Sequence, residues 1–143
     1  MKKLLFLLPI LLIFQNLHAQ SIQGKWGINQ LITDSETKEY RLFQTEADRF
    51  HYGNNIVFKE DGTFESYYTA PCGNDCFTNT SGTYKIINTT HLTLFLQTIT
   101  KNGMCEGNSK PNKSLGVYSI HHMNGGIQLI KSSSLILNEE KEK

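Results

Sequence analysis

The segment Phe58-Lys59-Glu60-Asp61-Gly62-Thr63-Phe64 constrains the fold more than any other part of the chain. On its left Ile56 and Phe58 alternate with Val57 and Lys59; on its right Phe64, Ser66 and Tyr68 alternate with Glu65 and Tyr67. Period-two alternation is the mark of a half-buried strand, and Asp-Gly between two such runs marks a hairpin. If Phe58 faces Phe64, Glu60, Asp61 and Gly62 form a three-residue loop. Such loops need a residue in the left-handed region, which Gly62 adopts without a Cβ clash. The turn and the register are then specified together, and the two phenylalanines fall on one face.

The same grammar recurs along the chain. Residues 21–33, SIQGKWGINQLIT, alternate around Trp26, Ile28 and Ile32. Residues 81–99 read as a second hairpin turning near Asn88 to Thr90, with Ile86 opposite Leu92. Residues 114–123 form another strand, and Gly125-Gly126 turns the chain into residues 127–138, which suit two short strands. Between residues 34 and 53, Tyr40, Phe43 and Ala47 stand at helical spacing, which predicts a short helix or an irregular lid. The chain is therefore all-β, with about eight short strands and frequent turns, as in a meander closed into a barrel or in a sandwich. Helical crossovers between strands are not seen, which argues against a parallel sheet.

The first residues have a different character. Lys2 and Lys3 precede an apolar run from Leu4 to Phe14, and Ala19 offers a small residue at a cleavage point. This is the anatomy of a secretory signal peptide over residues 1–19. The run is too short for a bilayer-spanning helix, which needs roughly 20 residues. Cleavage after Ala19 leaves 143 − 19 = 124 residues, 20–143, a length suited to one domain with one core. Removing Lys2 and Lys3 takes the basic residues from 14 to 12 against 13 acids, a net charge of −1. That balance argues against a nucleic-acid surface, which needs clustered Lys and Arg facing phosphates. The expected location is secreted or periplasmic, an oxidising place where disulfides persist.

Gly24-Lys25-Trp26 near the mature N-terminus, Phe58 to Phe64 as Phe-x-x-Asp-Gly-Thr-Phe, and Gly82 to Tyr84 as Gly-x-Tyr follow one another in a familiar order. In these the chain resembles the small secreted lipocalin-like β-barrel proteins of Bacteroidetes-type bacteria. The middle lipocalin motif, Thr-Asp-Tyr, is absent. The resemblance implies a lipocalin-like, calycin-type, up-and-down antiparallel barrel with a cup-shaped interior. It also implies that Trp26 closes the base, with Lys131 as the basic side chain packed across it. Fatty-acid-binding proteins share the early Gly-x-Trp, but their cytosolic location and helical lid fit less well.

Setting Trp26 inward also turns Ile28, Gln30 and Ile32 inward. The hairpin registers add Ile56, Phe58, Phe64, Ser66, Tyr68, Tyr84, Leu94 and Leu96. An eight-stranded barrel has room for these side chains or for one small ligand. The expected ligand-binding residues are Trp26, Ile28, Phe58, Phe64, Tyr68, Tyr84 and Leu94, an apolar lining with hydroxyls that suits a small apolar or amphipathic ligand. The rival is a filled core, in a structural or inhibitory module that meets a protein partner through its loops. Tyr67, Tyr68, Phe77 and Tyr118 are candidates for an aromatic rim, although strand aromatics more often serve as core or cross-strand pairs.

Other chemistry finds little support. His121 and His122 are adjacent and so face opposite sides of a strand, and no His-x-His or His-Glu-x-x-His spacing suggests a metal. No Gly-x-Ser-x-Gly is present, Glu60 and Asp61 are explained by a solvated turn, and Glu46, Asp48 and Arg49 by a charged surface. The expectation is a non-enzyme without cofactor or metal. Cys72 and Cys76 lie in the loop after the strand that ends near Thr69, and extending the register of the 81–99 hairpin puts Cys76 opposite about residue 102. Cys105 lies in the loop just beyond, so all three cysteines gather at one barrel end. A Cys76–Cys105 disulfide follows, with Cys72–Cys105 as the rival. Closing a loop of about 30 residues would stabilise the fold by about 3 kcal/mol on the chain-entropy model.

Overall fold

The structure is a computed structural model, and residues 21–46 and 51–133 are described. The expected signal peptide, Ala47, Asp48, Arg49 and the charged C-terminal tail lie outside the described residues. So does any second short strand after Ser132.

The described chain forms β1 (Gly24–Ile28), β2 (Glu39–Phe43), β3 (Gly53–Phe58), β4 (Thr63–Thr69), β5 (Cys76–Asn88), β6 (His91–Gly103), β7 (Gly107–Ser109), β8 (Lys113–Met123) and β9 (Gly126–Ser132). Eight of them close into an up-and-down antiparallel barrel in the order β2-β1-β3-β4-β5-β6-β8-β9, with β9 returning to β2. β7 pairs only with the outer part of β6, Ile99 to Lys101. Among the described residues, closure leaves no long sheet edge exposed to a second chain.

The two hairpins form in the registers that their sequences specify. Phe58 pairs with Phe64, the amide of Lys59 donates to Thr63 O at 2.8 Å, and Gly62 has φ +81°. Ile86 pairs with Leu92, and Tyr84 with Leu94. Farther along, Ser81 pairs with Thr98 while Gly82 pairs with Leu96, so Gln97 is an extra residue on β6. This bulge moves the partner of Cys76 from the expected residue 102 to Gly103. Gly82 sits under the Phe64 ring, where an added Cβ would lie 2.7 Å from ring carbon and 2.0 Å from Phe95 O. The Gly-x-Tyr motif thus has a steric cause.

The expected helix or lid is instead β2. Tyr40 and Leu42 are buried while Arg41 and Phe43 are exposed, a period of two. Helical spacing of Tyr40 and Phe43 was coincidental, because pairing with β1 on one side and β9 on the other decides the conformation. Since β2 lies between β1 and β9, the chain must cross β1 to reach β3. The described residues at either end of that connection meet on the outer face. There Phe43 covers Gly27, where a Cβ would lie 2.0 Å from its ring, and His51 meets the Phe43 ring edge-on at 5.6 Å.

The core lies inside the barrel. Tyr40, Ile56, Phe64, Leu92, Tyr118 and Leu129 are completely buried. Ile32 joins them, but Gln30 does not: β1 ends at Ile28, the chain bends, and the exposed Gln30 donates to Glu39 O at 3.3 Å. At one end, which Trp26 marks, lie the tight turns after β3, β5 and β8. At the other lie the longer connections 29–38, 70–75 and 104–112.

Candidate functional site

Six of the seven residues expected to line a ligand cavity come together in the interior. Trp26, Ile28, Phe58, Phe64, Tyr84 and Leu94 all belong to the buried cluster. Phe58 stacks edge-on with Tyr84 at 5.0 Å and is tilted against Phe64 at 6.2 Å. Phe58 and Leu94 are 1% exposed and Phe64 0%, so no water-sized space adjoins them and they pack as solid core. Tyr68 stands apart at the other end. Its hydroxyl donates to Asp75 Oδ2 at 2.9 Å, and its ring lies 6.2 Å from Phe77. The hydrogen bond to the Asp75 carboxylate, helped by some burial, holds the phenol pKa above its ordinary value.

One open alternative is decided and one expectation is corrected. The aromatic rim does not assemble: Tyr118 is fully buried against Tyr40 at 5.6 Å, donates to Thr37 O at 3.1 Å, and has its pKa pushed up by burial and then by Tyr40. Tyr67 faces outward into a shallow polar groove of about 390 Å³ that also touches Glu65, Asn79, Ser81 and Thr98. Lys131 does not cross Trp26. Trp26 lies beside Gly27, which pairs through Phe43 with Gly126, five residues before Lys131 on β9. Five strand residues span about 17 Å. Lys131 Nζ instead donates to Ser35 O in the connection at the far end.

One of the pockets of the described surface lies at the Trp26 end. Trp26 Nε1 donates to Ile22 O at 2.8 Å, a buried bond that draws residues 21–23 across the end of the barrel. Between this segment, the tip of the β5–β6 hairpin and β8 lies an open pocket of about 340 Å³. Ile22, Ile86 and Ile120 supply its apolar wall; Ser21, Gln23, Asn88, Thr89 and His122 supply its polar groups. Ile86 is 46% exposed, so a large aliphatic side chain stands half in water there. The hairpin tip is braced by Asn88, whose Oδ1 accepts from the amide and the hydroxyl of Thr90, both at 2.9 Å. The β3–β4 turn beside it is braced by Tyr84, whose hydroxyl donates to Lys59 O at 2.6 Å.

None of the pocket residues was singled out as a ligand contact from sequence, yet a signal was present. Ile86 continues the inward phase of Tyr84, and Ile120 and His122 continue that of Tyr118. Each lies one or two steps beyond the last residue that the packed core covers. Chemically the pocket can remove an aliphatic group from water and hydrogen-bond a polar one. Among the described residues, no group of three or more His, Cys, Asp or Glu gathers as a metal ion's ligands would.

At the far end Cys76 and Cys105 form the disulfide, with their Cα atoms 5.1 Å apart, and Cys72 is the free, exposed cysteine. The bond ties the first residue of β5 to the loop after β6, where the amide of Met104 also donates to Asp75 O at 3.0 Å. This settles the pairing in favour of Cys76.

A closed eight-stranded antiparallel barrel with a Trp-anchored end defines a class of small β-barrel protein. Residues 22–120 match the lipocalin-like domain, well over half of the chain, and the protein belongs to that family. No curated protein and no solved structure matches the chain. Among the described residues, no helix is long and apolar enough to cross a membrane.

Proposed function

We propose that this is an exported lipocalin-like protein that carries a small apolar or amphipathic ligand at the Trp26 end of its barrel. It acts by binding, with no catalytic step. The observation that carries this reading is the pocket of about 340 Å³ walled by Ile22, Ile86 and Ile120. Small-molecule sites are concave, mostly apolar and furnished with a few polar groups, in a range of roughly 300–1,000 Å³. Family membership supports a binder in general terms. The leader-like residues 1–19 and the Cys76–Cys105 bond support export. The packed interior argues for a ligand at the end of the barrel, since entry into the middle would displace close-packed side chains.

Two measurements test this. Native mass spectrometry of protein from the exported fraction should show retained small-molecule mass, and N-terminal sequencing should begin at Gln20. Titration with 1-octanol should shift the methyl resonances of Ile22, Ile86 and Ile120, and Ile86→Asp should abolish those shifts while the barrel stays folded. Shifts confined to other parts of the molecule would overturn the assignment.

A further inference from the structure

We infer that the outer wall of the barrel carries a second site, separate from the pocket at the Trp26 end, and that it takes a neutral sugar ring. The site is the shallow groove of about 390 Å³ on β4, β5 and β6. The registers set its side chains out in two rows. Glu65 pairs with Ser81 and Ser81 with Thr98; Tyr67 pairs with Asn79 and Asn79 with Thr100. Neighbouring strands lie about 4.8 Å apart and alternate residues about 6.8 Å apart along a strand, so the grid covers about 10 by 7 Å. One sugar ring with its hydroxyls can cover that area. Ser66 and Thr80, which alternate with these residues, are buried, so the outward set is separate from the core. The Gln97 bulge adjoins Thr98, and a bulge bends its strand at the edge of the hollow.

The chemistry of the grid matches a polyol. Ser81 Oγ and Thr98 Oγ1 lie 2.7 Å apart and share one hydrogen, which leaves the other hydroxyl hydrogen to donate. Thr100 Oγ1 donates to Asn79 O at 3.5 Å and keeps its lone pairs. The Tyr67 hydroxyl and the Asn79 carboxamide have no partner among the described residues, and each can both donate and accept. A sugar hydroxyl does both as well, and adjacent hydroxyls on one ring need partners of mixed kind close together. The half-buried Tyr67 ring adds an apolar face for the C–H side of the sugar, beside its own polar tip. Glu65 Oε1 accepts from Lys59 Nζ at 2.5 Å, so the charge at the groove edge is already balanced, which favours an uncharged ligand. An aliphatic ligand would instead strip water from these polar groups and give nothing back.

The test is an NMR titration of the purified full-length protein with methyl β-D-glucopyranoside, methyl β-D-galactopyranoside and methyl α-D-mannopyranoside, with glycerol as the control. At least one glycoside should shift the amides of residues 65–67, 79–81 and 98–100 and saturate with a Kd of about 10 mM or tighter. Tyr67→Ala should weaken that binding about tenfold and Tyr67→Phe about threefold, because phenylalanine keeps the ring and loses the hydroxyl. Ile86→Asp, in the other pocket, should leave it unchanged, which separates this site from the carrier reading. No shift at these amides with any of the three glycosides would overturn the inference. So would shifts that fail to saturate, equal shifts with glycerol, or undiminished affinity in Tyr67→Ala.

Discussion

The Trp26 end and the disulfide end of this barrel are held together by different means. At the Trp26 end the strands are joined by turns of two or three residues, at Glu60 to Gly62, Thr89-Thr90 and Asn124-Gly125. Hydrogen bonds from the Trp26 and Tyr84 side chains to backbone carbonyls, and from the Thr90 amide to Asn88 Oδ1, then fix the backbone around them. At the other end the connections are longer, the β5–β6 hairpin outruns β4 and β8, and a covalent bond holds it. Short turns with few accessible conformations lose little entropy on closing; longer ones lose more, and a disulfide removes part of that loss from the unfolded chain. The end with the tighter framework is the one that leaves an apolar pocket open. A rigid frame can hold isoleucine side chains half in water where a loose one would collapse over them.

The largest effect should come from the packed section between the two ends. Phe64→Ala removes a fully buried ring that also covers Gly82, and should cost about 3–5 kcal/mol in urea unfolding. A loss below about 1 kcal/mol would mean that the section is loosely packed and would dissolve the contrast with the pocket.

Next comes the staple. Cys76→Ser should lower stability by about 3 kcal/mol while leaving octanol affinity unchanged, because the bond is at the end opposite the pocket. A large loss of affinity would show that the two ends are coupled. The reverse pattern is expected of Trp26→Phe. Losing the indole N–H donor should cost about 1 kcal/mol of stability and weaken octanol binding severalfold, since residues 21–23 lose their anchor. Unchanged binding would remove Trp26 from its positioning role.

The smallest effect concerns acid. Asp61, at the Trp26 end, has its pKa held below the ordinary 3.8 by the Thr63 hydroxyl and amide. Asp34, at the far end, is raised by burial, yet the amides of Glu36 and Thr37 and the hydroxyls of Thr33 and Thr37 together bring it below 3.8. Both pKa values are depressed in the folded state. Their stabilisation is therefore fully present above the ordinary value and fades as pH falls through the folded one. Asp61→Asn and Asp34→Asn should each slightly flatten the decline of thermal midpoint below about pH 4. A steeper decline would contradict the assigned direction.

Much of the fold was legible because it is local. Alternation, the Asp61-Gly62 turn and the two hairpin registers are properties of neighbouring residues, and so is the gathering of three cysteines at one end. The site was less legible, and for a physical reason. Parity along a strand tells which way Phe58 or Leu94 points, but it says nothing of how much room is left once all inward side chains meet. Those residues point inward as expected and are buried against one another. Ile22, Ile86 and Ile120 lie at the margins of their segments, where parity continues but cover does not.

The residue pattern alone specified an all-β chain, its hairpins and most of its inward faces, Gln30 excepted, because each depends on contacts a few residues apart. Only the tertiary structure decided that β2 is a strand lodged between β1 and β9, that the Gln97 bulge shifts Cys76 to Gly103, and that Lys131 is remote from Trp26. The pocket at the Trp26 end belongs to the same group, since three distant segments must meet to form it. These features depend on barrel closure, which brings together residues that no local pattern relates.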